Sequence, residues 1–330
     1  MDMLKQVLGA LVVLTLSSSA QAATWDEPWH RDVVAKADAF GLYEVVGASP
    51  AGFVLKSVRH LAGSETGTNV VVDGYYAGEL LSSSSVNGVK TAGSAVTLKG
   101  AGTRYYLFLK RAPSGSTWQL ATQTSGFAEV RSDGKVAATF RISIHQALVD
   151  SRTYELTQTC IFRNLHGEQC PPEVSAFIQT QLSAAPGSLA SDAAPDEVDR
   201  FFTQHAALET AYLTASSVDL ATLAKFLKDP LSHTQISAVR ALSASVSKER
   251  NATLIAFVTD DSRNMLARVF AVQMLREVGA RELKNEITAY VPNAPTTGVG
   301  LGIDIMDPRI GTPFPGSLKL ALEALVREWN

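Results

Sequence analysis

Charged side chains are scarce in this chain. Asp, Glu, Lys and Arg make up 18% of its 330 residues, and the formal net charge is −3. The sequence contains no stripe of Lys and Arg with interleaved aromatic residues, which argues against nucleic acid as a partner. Apolar residues reach 46%, which excludes a chain too polar to fold. The length is sufficient for two domains.

Long hydrophobic runs are also rare, and the clearest one lies at the N-terminus. Lys5 precedes an apolar stretch over residues 7–16, and the small residues Ala20 and Ala22 follow. This pattern predicts a signal peptide over residues 1–22, cleaved between Ala22 and Ala23. A retained anchor is the alternative, but the apolar stretch is shorter than the ~20 residues that span a bilayer. We therefore expect a periplasmic or extracellular protein without a transmembrane segment after cleavage.

Only two cysteines occur, Cys160 and Cys170. Export delivers them to an oxidising compartment, so a disulfide between them is the favoured interpretation. Two alternatives stay open. One is a metal site that adds His166 to both cysteines, although no fourth ligand is apparent nearby. The other is a pair of free thiols.

Motifs that carry known chemistry are absent from the sequence. It has no Gly-x-Ser-x-Gly elbow and no His-Glu-x-x-His pair, and its six histidines lack ligand spacing. The pair Asp260-Asp261 is explained more simply as a cap of the following helix than as an acid–base pair. Trp25 and Trp29 either stack on a ligand or seal one end of a β-barrel. We expect no catalytic residue, no cofactor and no metal.

Residues 23–170 have the pattern of a β-domain. Short apolar segments alternate with turn residues, as in Val70–Val72, Arg104–Lys110 and Lys135–Ile142. This spacing indicates a small barrel or sandwich. Thr153–Phe162 is predicted as a further strand, and Ile144–Asp150 is ambiguous between strand and helix.

The order of segments over residues 30–130 resembles a known family of barrels. A short helical lead-in at Val33–Ala37 meets a strand through Val46, a second strand covers Gly52–Val58, and Gly102–Leu109 follows. This arrangement resembles the OB-like barrels of netrin modules and tissue inhibitors of metalloproteinases. The inhibitors bind a protease metal through an N-terminal cysteine. The expected mature end here is Ala23-Thr24-Trp25, so that route of inhibition has no matching residue.

The chain becomes helical after Cys170. Residues 171–216 indicate a helix, a Pro- and Gly-punctuated linker and a second helix. From residue 217 to 330, apolar positions recur at helical spacing, with Asp219 as a helix N-cap. Two turns, Asp229-Pro230 and Asp260-Asp261, separate helix pairs. Such paired helices at a fixed period resemble HEAT-like repeats, and an irregular helical bundle is the alternative.

These observations predict an α+β protein of two domains, with a barrel or sandwich followed by a helical repeat array. The repeat pattern and the missing catalytic motifs favour a non-enzymatic binding or scaffold protein of the cell envelope that presents its helical surface to a protein partner. An inhibitor or accessory factor of a secreted protease is the alternative. A hydrolase with an unrecognised site ranks third.

Overall fold

A computed structural model of the protein describes residues 25–26, 28–49, 52–73, 80–81, 84–86, 89–91, 95–96, 100–122, 125–142, 145–300, 309–310 and 314–330. The predicted signal peptide and the cleavage site at Ala22 and Ala23 lie outside these residues. None of the described helices is long and apolar enough to cross a membrane.

The strands lie almost entirely in the first half of the chain. In chain order they are β1 (Trp25–Asp26), β2 (Ala39–Ser49), β3 (Gly52–Gly63), β4 (Asn69–Val72), β5 (Leu80–Leu81), β6 (Ser84–Val86), β7 (Val89–Thr91), β8 (Ala95–Val96), β9 (Arg104–Arg111), β10 (Trp118–Leu120), β11 (Phe127–Glu129), β12 (Lys135–Thr139), β13 (Gln146–Asp150) and β14 (Arg309–Ile310).

Five of these strands form a closed β-barrel. Antiparallel pairing runs from β4 through β3 and β2 to β9, and β10 pairs with β9. The parallel register of Trp118 with Val72 joins β10 to β4 and completes the ring. The predicted small β-barrel is therefore confirmed.

Strand β9 shows why its sequence is an unbroken apolar run. Tyr105, Leu107 and Leu109 lie in the barrel core. The alternate residues Tyr106 and Phe108 face outward, into a second core shared with the helices. Since successive side chains of a strand point to opposite faces, a strand that is buried on both faces has no polar alternation.

The helices follow the barrel. They are α1 (His30–Ala35), which precedes the barrel strands, and α2 (Ser151–Leu165), α3 (Glu173–Ser183), α4 (Pro195–Leu213), α5 (Leu220–Leu227), α6 (Ser232–Ser243), α7 (Arg250–Thr259), α8 (Met265–Glu277), α9 (Lys284–Tyr290) and α10 (Leu318–Glu328). Short 3₁₀ segments span Arg281–Leu283 and Val291–Asn293.

Helix α2 corrects the prediction of a strand over Thr153–Phe162. Asp150 caps the helix by accepting a hydrogen bond from the Thr153 backbone N–H. Tyr154, Gln158 and Ile161 are buried at helical spacing. The many threonines favoured a strand, but the cap and the burial of one helical face decide the conformation here. Within the ambiguous segment Ile144–Asp150, residues Gln146–Asp150 form strand β13, and Ile144 lies outside the described residues.

Helices α5 to α8 stack in two pairs. Helix α5 packs on α6, and α7 packs on α8, while α6 also contacts α4 and α8. Asp219 caps α5 as predicted, accepting from the Thr222 backbone N–H at 2.7 Å. The expected cap of α8 at Asp260-Asp261 is wrong. Asn264 caps that helix, while Asp260 accepts from Ser262 and Arg263.

One apolar core joins the barrel to the helices. It contains Phe40 and Phe108 from the outer barrel face, Val136 and Val149 from the β12–β13 hairpin, and many residues of the helices, including Phe270. Strand β13 lies directly against α4. Polar side chains at this junction are therefore enclosed from both sides.

Candidate functional site

Helix α4 carries a carboxylate into the junction between the β12–β13 hairpin and the helices. Glu209 is fully buried. Arg141, from the segment between β12 and β13, donates from Nε to Glu209 Oε1 at 2.6 Å. Arg240, from α6, donates from Nε to Glu209 Oε2 at 2.8 Å. A single carboxylate thus binds two arginines from two different parts of the fold.

The charges of this cluster do not cancel. Burial on its own would raise the pKa of Glu209, but Arg240 and Arg141 outweigh burial and hold the pKa well below its ordinary value. Burial lowers the pKa of Arg141 to about 10, against the opposing effect of Glu209. Both guanidiniums are therefore charged at neutral pH, and the cluster of Arg141, Glu209 and Arg240 carries a net charge of one positive unit.

Ser237 and His205 complete the hydrogen bonds of the cluster. Ser237 Oγ accepts from Arg141 Nη2 at 2.6 Å and donates to Glu209 Oε1 at 2.9 Å. His205 Nδ1 lies 2.8 Å from the same hydroxyl oxygen. Since the hydroxyl has one proton, His205 must donate there. Its Nε2 is then an acceptor, and this buried atom has no partner among the described residues.

This set resembles a serine hydrolase triad in composition but not in arrangement. In a triad the carboxylate orients the histidine and the histidine removes the serine proton. Here the carboxylate binds Ser237 directly, and His205 donates to the hydroxyl. Ser237 is 0% exposed. These three residues therefore form a buried hydrogen-bond network without the arrangement of a triad.

Two further histidines lie beside the cluster. His145 Nε2 is 3.0 Å from His233 Nδ1, and the ring of His145 is 5.0 Å from that of His205. Burial, reinforced by Arg141, lowers the pKa of His145 to about 2, and burial lowers the pKa of His205 to about 3. Both are neutral near physiological pH. In the described part of the chain, no group of His, Cys, Asp and Glu has an arrangement suited to a metal ion.

Trp29 lies between two cavities at this junction. Its ring meets Phe270 edge-on at 6.2 Å, and the Arg240 guanidinium lies 5.5 Å from its centre. The first cavity, of about 270 Å³, also contacts Arg240 and Tyr212 and is named the Arg240 cavity. The second, of about 150 Å³, contacts His145 and His233. Trp29 therefore contacts the helices, and it does not seal an end of the barrel.

A larger groove opens on the helical region. It has a volume of about 660 Å³ and lies between α3, the start of α5 and the loop that joins α6 to α7. We name it the α3–α5 groove. Its apolar lining residues are Ile178, Leu182, Val218, Leu220 and Val246.

The rim of the α3–α5 groove is both apolar and acidic. Val246 is 86% exposed, an unusual position for a large apolar side chain. Asp219 and Glu249 contribute negative charge, and no Lys or Arg occurs among the described residues that line the groove.

The predicted disulfide is confirmed. Cys160 and Cys170 are bonded, with their Cα atoms 4.4 Å apart, which joins α2 to the loop before α3. His166 instead hydrogen-bonds the carbonyls of Phe162 and Ala37. The alternative of a metal site at these three residues is therefore wrong, as is the alternative of two free thiols.

Sequence reasoning missed the charged cluster. Glu209 and Arg240 each stand inside an apolar helical stretch, Ala206–Ala211 and Ala238–Leu242. A single charged residue among mostly small and apolar neighbours in a helix is a signal of a buried ion pair, and the sequence contains that signal at both positions.

Comparisons of this chain with protein-family models, with curated proteins and with solved structures gave no match.

Proposed function

We propose that this is an exported, non-enzymatic binding or scaffold protein of the cell envelope, periplasmic or extracellular, that presents its helical surface to a protein partner. The N-terminal signal pattern and the Cys160–Cys170 disulfide support export to an oxidising compartment. The stacked pairs α5–α6 and α7–α8 support a HEAT-like array. The closed strand order of the barrel supports an OB-like domain.

The observation that carries this proposal is the α3–α5 groove. Its apolar floor, the exposed Val246 and the acidic residues Asp219 and Glu249 lie on one surface. Burial of an apolar side chain would supply affinity, and the acidic rim would favour basic flanking residues. We therefore propose a partner segment with an apolar residue next to Lys or Arg.

Inhibition of a secreted protease ranks below this function. The barrel that suggested it is present, but the residue by which the animal inhibitors bind a protease metal has no counterpart, since no cysteine precedes Cys160. A hydrolase ranks lower still, because Ser237, His205 and Glu209 do not have the arrangement of a triad.

Cross-linking from defined positions tests the proposal. A photo-reactive residue would replace Val246 in the groove or, as a matched control, Val46, an exposed valine of strand β2. We expect one protein to be cross-linked reproducibly from position 246 and not from position 46, through a segment with apolar and basic residues. Cross-links from position 46 alone, or a protease captured through the barrel, would overturn the assignment of the groove.

A further inference from the structure

The Arg240 cavity is separate from the α3–α5 groove and is built at the junction of the two halves of the fold. Its walls include Trp29 and Arg31 from the start of α1, Tyr212 from α4, Arg240 from α6, and Gln273 and Glu277 from α8. Its volume of about 270 Å³ lies just below the ~300–1,000 Å³ typical of small-molecule sites. A small ligand fits this space.

Arg240 brings an incompletely paired guanidinium to this cavity. The side chain is almost fully buried, with 4% of the residue exposed. Its Nε donates to Glu209, and its Cζ atom lies 4.0 Å from the centre of the Tyr212 ring. Among the described residues, neither terminal nitrogen has a hydrogen-bond acceptor. These two nitrogens form the edge that binds carboxylates in a bidentate manner.

The charge of the cluster points to the same ligand class. Glu209 neutralises one of its two arginines, which leaves one buried positive charge. Arg141 Nη2 also donates hydrogen bonds to the Ser237 hydroxyl and to the His233 carbonyl, so most of the Arg141 donors have acceptors. Glu277 stabilises the Arg240 charge from the cavity wall, but no described carboxylate is hydrogen-bonded to the terminal nitrogens of Arg240, and a bound anion would fill that position.

Other charges around the cavity restrict the anion. Arg276 is paired with Glu328 at 2.7 Å. Arg31 and Asp32 both line the cavity wall and carry opposite charges, while Glu277 accepts the Tyr212 hydroxyl with both oxygens. The Glu277 carboxylate would repel a dianion more than a monoanion. The surroundings thus favour a monocarboxylate over a phosphate.

We propose that the Arg240 cavity is a binding site for a small monocarboxylate, which pairs with the terminal nitrogens of Arg240 beside Trp29 and Tyr212. The ligand would bridge α1, α4, α6 and α8, because each of these helices contributes to the cavity wall. Its occupancy would therefore stabilise the junction of the barrel and the helices.

Calorimetric titration with benzoate tests this site in the full-length mature protein. Benzyl alcohol serves as the uncharged counterpart, and inorganic phosphate as the competing anion. We expect one benzoate per protein, bound about tenfold or more tightly than benzyl alcohol or phosphate, since only the carboxylate can form the paired hydrogen bonds. Equal affinity for benzoate and benzyl alcohol, or tighter binding of phosphate, would overturn the proposal.

A substitution that leaves the Arg240–Glu209 pair intact locates the ligand. Gln273→Glu places a negative charge in the cavity wall and should weaken benzoate binding about tenfold or more. Gln119→Glu, the same change on the distant strand β10, should leave the affinity unaltered. If both variants bind benzoate as the unaltered protein does, the carboxylate site lies elsewhere and the assignment is wrong.

Discussion

Glu209 is the residue on which the junction depends. It is the single acidic partner of Arg141 and Arg240 within the described cluster, and it also accepts the Ser237 hydroxyl. Removing one member of a buried ion network leaves its partners charged and unpaired. The resulting loss of stability is larger than the difference in stability between the intact network and an apolar replacement of all its members.

The substitution Glu209→Gln tests this dependence. It keeps the shape of the side chain but leaves two buried guanidiniums facing a neutral amide, so we expect the free energy of unfolding to fall by about 3–5 kcal/mol. Urea denaturation measures the change. The matched control is Glu286→Gln on the exposed face of α9, which should alter stability by less than about 0.5 kcal/mol. Equal effects of both substitutions would contradict the role of the cluster.

Buried histidines make the free energy of unfolding depend on pH. Burial lowers the pKa of His30 to about 4, against the hydrogen bond that His30 Nε2 donates to Gln158 Oε1, which favours the charged form. The folded protein therefore keeps His30 neutral while the unfolded chain takes up a proton below a pH of about 6.5. The unfolded state binds more protons in this window, so the free energy of unfolding decreases as the pH falls from about 6.5 to 4.5.

The variant His30→Asn removes the group that takes up one such proton in the unfolded chain. We expect the slope of unfolding free energy against pH to decrease by about 1.4 kcal/mol per pH unit between about pH 6 and 4.5. Denaturant unfolding at a series of pH values measures it. Above about pH 7.5 the slopes of the variant and the unaltered protein should coincide. An unchanged slope at acid pH would show that His30 is already protonated in the folded protein.

At the level of elements, α2 connects the barrel to the helical region. It packs on β3, α1 and α4, and Glu155 on this helix receives hydrogen bonds from Arg59 and Tyr106 of the barrel. The disulfide joins the same helix to the loop before α3. This covalent link closes the short loop between α2 and α3 and limits the freedom of that part of the unfolded chain.

Reduction of the Cys160–Cys170 disulfide should lower the free energy of unfolding by about 2–3 kcal/mol, the range expected for a short loop. Urea denaturation with and without reductant measures the loss. The variant with both cysteines replaced by serine should start at the lower stability and show no response to reductant. A response in that variant, or none in the unaltered protein, would contradict this account.

Sequence patterns predicted the elements whose conformation is determined by nearby residues in the chain. Strand β9 was predicted because an aromatic and apolar run ends at a Pro- and Gly-containing turn, and the Asp219 cap because its position precedes a clear helical face. Helix α2 was missed because Thr153, Thr157 and Thr159 favour strands locally, whereas contacts with the barrel and α4 determine the helix. Local preference does not contain those contacts.

The candidate sites also differ in how far apart their residues lie in the sequence. The two cysteines are ten positions apart, so their pairing could be inferred from the chain. Arg141 and Arg240 lie 68 and 31 positions from Glu209. Only the packing of the hairpin, α4 and α6 brings these residues together. The α3–α5 groove likewise combines three separate segments.

At the scale of the whole molecule, barrel and helices share one apolar core. Helices α3 and α5, which line the α3–α5 groove, pack on α4 and α6, and α4, α6 and α8, which line the Arg240 cavity, form one packed series. The two sites share no lining residue and differ in charge. We propose a basic protein segment as the occupant of the groove and a small anion as the occupant of the cavity.

The affinity of the cross-linked partner for groove variants tests the central claim most directly. Val246→Lys replaces the most exposed apolar residue of the groove by a positive charge, and Val46→Lys makes the same change on strand β2. The account predicts that Val246→Lys weakens binding about tenfold or more, because the apolar contact is lost and the basic partner is repelled, while Val46→Lys leaves the affinity within about twofold. Equal affinities for the two variants would contradict the claim that the α3–α5 groove is the binding surface.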